Sequence, residues 1–206
     1  MTKTKRISWG IVCVISCLLI ILLVMSMFSC AAQSSMFYHD GSTVNGVEFY
    51  VNQVGRRAFV GMYTWDGSDA GKTIVIPDKV DGMRVDELGG ATGIGVPTPF
   101  IIQFPESYNI DGYYSGSPDN YHLEEAYTIE EIVFSLHLGK YVEFCESMFI
   151  EFTSHPCTTL EDGSKIFYRT SVYVTCDEEN KTFYAKEGRL YRREDDSLVD
   201  AFYYAN

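Results

Sequence analysis

The residues of this chain that could do chemistry are its cysteines, histidines and clustered carboxylates, and their spacing limits what that chemistry would be. His155-Pro156-Cys157 places two metal-capable side chains two residues apart. A structural zinc site needs four ligands, and no second pair at ligand spacing accompanies the first. His39, His122 and His137 stand far apart, outside any nucleophile or metal motif. Gly93-Ile94-Gly95 lacks the third glycine and the Lys-Ser/Thr pair of a phosphate-cradling loop. Acids cluster at Glu124-Glu125, Glu130-Glu131, Asp177-Glu178-Glu179 and Glu194-Asp195-Asp196. Two converging carboxylates could hydrolyse a glycoside and several could hold calcium, but such runs more often keep a surface solvated. No catalytic residue, metal ligand set or cofactor motif is assigned, and the chain is read as non-catalytic. Cys145 and Cys157 are close enough in sequence for a disulfide in an oxidising compartment, with separately buried thiols, Cys176 among them, as the alternative.

The N-terminus decides the compartment. Lys3, Lys5 and Arg6 precede residues 11–28, which are apolar apart from Ser16, Ser26, Cys13 and Cys17. A basic segment followed by an apolar run is an export signal. Its length approaches the roughly 20 residues that span a bilayer as a helix. Ser26-Met27-Phe28-Ser29-Cys30-Ala31 resembles a bacterial lipoprotein box, in which a small residue precedes a lipid-modified cysteine. Lipidation at Cys30, an uncleaved single span, and cleavage with release are the three outcomes, and each exports the residues beyond position 30. The positive-inside rule puts Lys3, Lys5 and Arg6 in the cytoplasm and the exported part on the extracellular face of the cell membrane. Residues 1–30 are thus a signal or anchor helix, 31–44 a polar tether, and 45–206 the folded domain.

Charge restricts the partners. Beyond position 30 the chain has 13 basic and 28 acidic residues, a net charge of −15. Such a surface repels nucleic acid and anionic headgroups alike, so membrane contact is expected through the N-terminal segment alone. An extracellular protein or glycan is the expected partner. Aromatics make up 15% of the chain, with 15 Tyr and 13 Phe, which favours an ordered β-rich body.

The elements that must position these residues are strands. Residues 47–51 and 58–63 alternate apolar and polar around Asn52-Gln53-Val54-Gly55, a β-hairpin signal and a suitable cap for a stack. Residues 71–90 read as a short strand (Ile74, Ile76), a stop at Pro77, a turn at Asp81-Gly82, further anchors at Val80, Val85 and Leu88, and a glycine exit. That apolar face is too small to be stable alone. Similar cores recur at Ile102-Gln103-Phe104-Pro105, Ile132-Val133-Phe134 and Val172-Tyr173-Val174. Unequal spacing of this size suggests a degenerate solenoid. Residues 108–121, rich in Tyr, Gly, Ser and Asn, offer a recognition loop with Tyr108, Tyr113, Tyr114 and Tyr121 as contact residues; a solvated inter-repeat loop is the plainer alternative.

Residues 47–90, and the end of the chain from Val172 through Gly188-Arg189-Leu190-Tyr191, resemble BspA-type leucine-rich-repeat surface proteins of bacteria. The resemblance implies a mainly β fold: a short, irregular leucine-rich-repeat-like solenoid with an N-terminal hairpin cap and little helix. It implies a cell-surface binding role with no shared catalytic residues. A cell-envelope hydrolase using the clustered acids and a purely structural envelope component are the competing readings.

Overall fold

The computed structural model describes residues 38–53, 55–92, 96–115, 128–145 and 154–205. Among them the chain is mainly β, and its helical content is two 3-10 turns, Ala70–Lys72 and Glu106–Tyr108. The signal or anchor reading of residues 1–30, Cys30 included, lies outside the described residues. No described helix is long and apolar enough to cross a membrane.

The first sheet begins with a meander. β1 (Tyr38–Val44), β2 (Val47–Asn52) and β3 (Arg57–Thr64) pair antiparallel in chain order. The β2–β3 hairpin is where alternation places it. Residues Tyr38–Val44, expected within the tether, form β1 instead. The Asn45-Gly46 turn, with φ of 50° and 79°, suits a two-residue hairpin and folds this polar stretch back on β2. Asp81 then fastens it, accepting hydrogen bonds from the Ser42 N–H at 2.9 Å and the Ser42 hydroxyl at 2.6 Å. Backbone pairing and these bonds supply what the polar sequence does not advertise.

The stretch 71–90 links the two main sheets. β4 (Thr73–Val75) joins the second sheet. β5 (Lys79–Val80) and β6 (Met83–Leu88) form a tight hairpin in the first, where β6 runs parallel to β3. Asp81 and Gly82 take φ of 51° and 77°, the left-handed pair that such a turn requires. β7 (Gly90–Thr92) and β8 (Val96–Thr98) form a separate hairpin. β9 (Ile101–Gln103) then replaces β6 along the later half of β3.

The second sheet has the order β10-β13-β14-β11-β4, with β10 (Gly112–Ser115), β11 (Thr128–Leu138), β13 (Ser154–Thr159) and β14 (Lys165–Cys176). β4, β11 and β14 run parallel in continuous register: Ile74 lies opposite Leu136, Leu136 opposite Val174, and Phe134 opposite Val172. Three of the four expected strand cores therefore do share a sheet. Ile74 faces Leu136 instead of Ile132, a slide of four residues. Because the slide is even, every inward side chain stays inward. The core near Ile102 does not join this ladder. β9 lies on β3 in the first sheet, where the Trp65 N–H donates to the Gln103 carbonyl at 3.0 Å and Phe100 and Phe104 are buried. Its likeness to the 74–77 segment is local and does not set its pairing partner.

β12 (Phe144–Cys145) pairs with β6, and β15 (Phe183–Lys186) with β16 (Arg189–Arg192) form a hairpin turning at Glu187-Gly188. That turn and the C-terminal residues extend the ladder beyond β14: Val174 N–H donates to the Gly188 carbonyl at 2.8 Å, and Val172 bridges Tyr204. Side chains from both sheets share one apolar cluster, in which Trp65, Phe134, Leu136, Leu138, Val172 and Phe183 are almost fully buried.

Asn180 ties the ladder's exits together. Its side-chain nitrogen donates to the carbonyls of Gly139 and Val142 at 2.9 and 3.0 Å, and its oxygen accepts from the N–H groups of Thr182 and Phe183 at 2.9 and 2.8 Å. A buried amide with every polar atom engaged fixes the loop after β11 to the loop after β14.

Candidate functional site

The first sheet buries one face and leaves a different chemistry on the other. Val47, Phe49 and Val51 of β2 alternate inward with Glu48, Tyr50 and Asn52, and Ala58 and Val60 of β3 alternate with Arg57 and Phe59. On the outer face Phe59 packs between Tyr38 and Tyr50, with ring centroids 4.9 Å from each. Beside this aromatic trio lies a row of cations. Lys79 of β5 is the cross-strand partner of Arg84 of β6, and Arg84 is the partner of Arg57 of β3. Like charges in adjacent register repel.

One buried acid partly offsets the row. The β3–β6 register slips between Ala58 and Phe59, so Val85 and Asp86 together face the space one residue would fill. The bulge places Asp86, 1% exposed, with a carboxylate oxygen 3.2 Å from Arg57 Nε and 4.0 Å from Arg84 Nη2. Burial pushes its pKa up to about 6, against the pull of Arg57 and then Arg84. Burial also raises Glu87, with the Asp86 charge adding to it, and raises the Tyr38 hydroxyl, with Glu87 and Asp86 adding in turn. Glu143 takes up Arg84 at 3.4 Å.

Arg56, Arg57, Lys79 and Arg84, with Gly55 and Gly82, line a cleft of about 400 Å³. Among the described residues no acid lines it. Arg56 and Lys79 are exposed and form no ion pair among the described residues. Arg56 has φ of 54°, the left-handed conformation that favours glycine. Arg84 also borders a second cleft of about 540 Å³ with Lys140, Tyr141, Glu143, Glu179, Lys181 and Thr182, its guanidinium 5.1 Å from the Tyr141 ring centroid.

The residues singled out in the sequence are placed elsewhere. Tyr108 ends the second 3-10 turn and is half-buried, its ring 5.2 Å from Trp65, 5.4 Å from Phe104 and 5.1 Å from Tyr168. Tyr113 and Tyr114 lie on β10, opposite Pro156 and His155 of β13, a sheet edge in place of the expected loop. Tyr121 lies outside the described residues. No disulfide joins Cys145 to Cys157: the first is buried on β12 in the first sheet, the second half-buried on β13 in the second, and both keep their thiols, as does Cys176. Burial raises the Cys157 thiol, and raises Cys176 to about 11. His155 is buried against Phe167 and Tyr203, and its Nδ1 accepts the Thr170 N–H at 3.1 Å. Among the described residues no group of three His, Cys, Asp or Glu could hold a metal ion.

Glu124-Glu125 lies outside the described residues, and members of the other three carboxylate runs are held as turn caps and surface ion pairs. Glu131 meets Arg169 at 3.0 Å, Glu179 meets Lys140 at 3.1 Å, and Asp195 accepts from the N–H and hydroxyl of Ser197. Sequence reasoning passed over the basic cleft. The available signal was the concentration of Arg56, Arg57, Lys79 and Arg84 around two turns of a strongly acidic chain.

No family model matches the sequence, and no curated protein matches it. Among solved structures the chain is similar to the crystal structure of pneumococcal vaccine antigen PcpA, at 13% identity and a TM-score of 0.18, over 77% of this chain and 55% of that one. The chain thus spans about half the length of that antigen, and a likeness of this depth says nothing of shared fold or activity.

Proposed function

We propose that this chain is an exported, membrane-anchored protein whose short, irregular leucine-rich-repeat-like solenoid binds a surface or extracellular partner without turning it over. The observation that carries the reading is the N-terminal sequence: Lys3, Lys5 and Arg6, the apolar run to residue 28, and Cys30 in a lipoprotein-like setting. The solenoid part draws support from the parallel register of β4, β11 and β14 and its extension to Gly188 and Tyr204, with the β2–β3 hairpin as the N-terminal cap. It applies to this ladder and leaves out β9. The exposed residues of the ladder, Thr73, Val75, Ser135, Tyr173 and Thr175, form an outward row on which a protein or glycan would lie.

Capture experiments with the detergent-solubilised full chain against cell-wall glycans and host matrix proteins test the binding claim. Retention on at least one surface, with the ligand recovered unchanged, is expected; no retention on either panel overturns it. A glycan or peptide cleaved during the assay supports the hydrolase instead. An envelope defect on deletion, without loss of adhesion, supports the structural role. Lipidation is tested by Cys30→Ser, which should release the protein or leave its precursor unprocessed; unchanged processing refutes it.

A further inference from the structure

We propose that the cleft lined by Arg56, Arg57, Lys79 and Arg84 binds a phosphate group, as inorganic phosphate or as a phosphate monoester. The proposal deepens the binding function above and rests on it only in taking the ligand as held and not transformed. Four cations converge from β3, β5, β6 and the β2–β3 turn, and three of them are successive cross-strand partners. Like charges in adjacent register repel, and a bound anion would relieve the part that the protein's own acids leave. A chain with 28 acids has ample means to neutralise this row internally, yet among the described residues no acid lines the cleft. Asp86 and Glu143 offset Arg57 and Arg84 from outside its lining. Arg56 and Lys79 are left over, two charges that match a dianion.

Two further features favour a built site. Arg56 occupies a left-handed position directly after Gly55, so a side chain sits where glycine would cost nothing. Gly82, also in the lining, leaves open space: a Cβ there would meet nothing within 4 Å. The cleft is of a size that takes a small molecule. Arginine forks suit the several oxygens of a phosphate. A long polyanion is excluded by the acidic remainder of the surface. A compact anion is not, since beyond about 8 Å physiological salt screens those acids.

Titration of the detergent-solubilised full chain by ³¹P NMR, at about pH 7.5 where a monoester carries close to two charges, tests the assignment. Inorganic phosphate and glucose 6-phosphate are the two arms, with acetate added to each as the singly charged competitor. At least one arm should saturate with a dissociation constant below about 1 mM. Arg56→Ala and Lys79→Ala should each weaken binding about tenfold, and the pair about a hundredfold. Lys186→Ala, on β15, should change nothing. Binding by both arms assigns a bare phosphate site; binding by the ester alone assigns one that also holds the sugar. No saturable shift in either arm, equal affinity for acetate, or full affinity in the folded double variant overturns the proposal. Hydrolysis of the ester in the same spectra would instead overturn the non-catalytic reading while leaving the cleft assigned.

Discussion

Asp86→Asn should make the protein more stable at neutral pH and flatten part of its pH dependence. The carboxyl is 1% exposed and has a pKa of about 6 in the folded protein, against about 3.9 in an unfolded chain. Its folded-state pKa is raised, so between those values the native state binds the proton that the unfolded state has lost. Stability from this group is therefore full below about pH 4 and declines as pH rises to about 6. Two pKa units correspond to about 3 kcal/mol. Asparagine has the same shape and no charge, so the variant lacks this decline. The pull of Arg57 and Arg84 is already contained in the folded-state value, so their loss of the acid is not subtracted again. The variant should gain about 3 kcal/mol at pH 7.5 and differ little near pH 4. Loss of the Asp86 charge also relieves Glu87, which adds to the difference in the same direction. Asp66, Asp81, Asp162 and Asp195 act oppositely: hydrogen bonds lower their folded pKa, so their stabilisation is present above about pH 4 and lost below it. They are common to both proteins and cancel in the comparison. Urea unfolding of the full chain and the variant in detergent, followed by circular dichroism from pH 4 to 7.5, measures the difference. Parallel stability curves, or a variant less stable at pH 7.5, would refute the reasoning.

Asn180→Ala should cost at least about 3 kcal/mol, because two carbonyls and two N–H groups lose their partner at once in a largely buried setting; urea unfolding reads this out, and a loss under 1 kcal/mol contradicts it. Gly188→Ala places a Cβ 2.4 Å from the Tyr173 ring at a φ of +75°. Tyr173 is an exposed side chain that can swing aside, so the backbone should dominate at about 1–2 kcal/mol; rescue of most of that loss by Tyr173→Ala would show the reverse. Cys176, with its pKa near 11, should be about one part in a thousand thiolate at pH 8. Iodoacetamide should therefore modify it slowly until the protein is unfolded, and mass spectrometry showing rapid native labelling would refute that environment.

The legible parts of the fold are those where local pattern and tertiary role coincide. Val47, Phe49 and Val51 alternate cleanly, and Ile74, Phe134 and Val172 each sit in strong β sequence, so the hairpin and three parallel strands could be read off the chain. The same local pattern misassigns Ile102, since strand sequence does not name a pairing partner. β1 is illegible for the opposite reason: its residues are polar, and pairing and the Ser42–Asp81 bonds hold it in the sheet. The concentration of Arg56, Arg57, Lys79 and Arg84 is legible in the sequence, but their adjacency is not, because Arg57, Lys79 and Arg84 become neighbours only through cross-strand register, while Asp86 is sunk beneath them by a bulge. The tyrosines chosen for their composition were read without their partners, and Tyr108 is packed against the buried Trp65 and Tyr168.

Binding at the cell surface is the central proposal, and adhesion of intact cells addresses it most directly. Cells carrying the full chain and cells lacking it would be compared on immobilised cell-wall glycans and host matrix proteins. Chain-dependent retention on at least one of these surfaces, with the surface left chemically intact, is the predicted result. Equal retention of the two strains on every surface would contradict it.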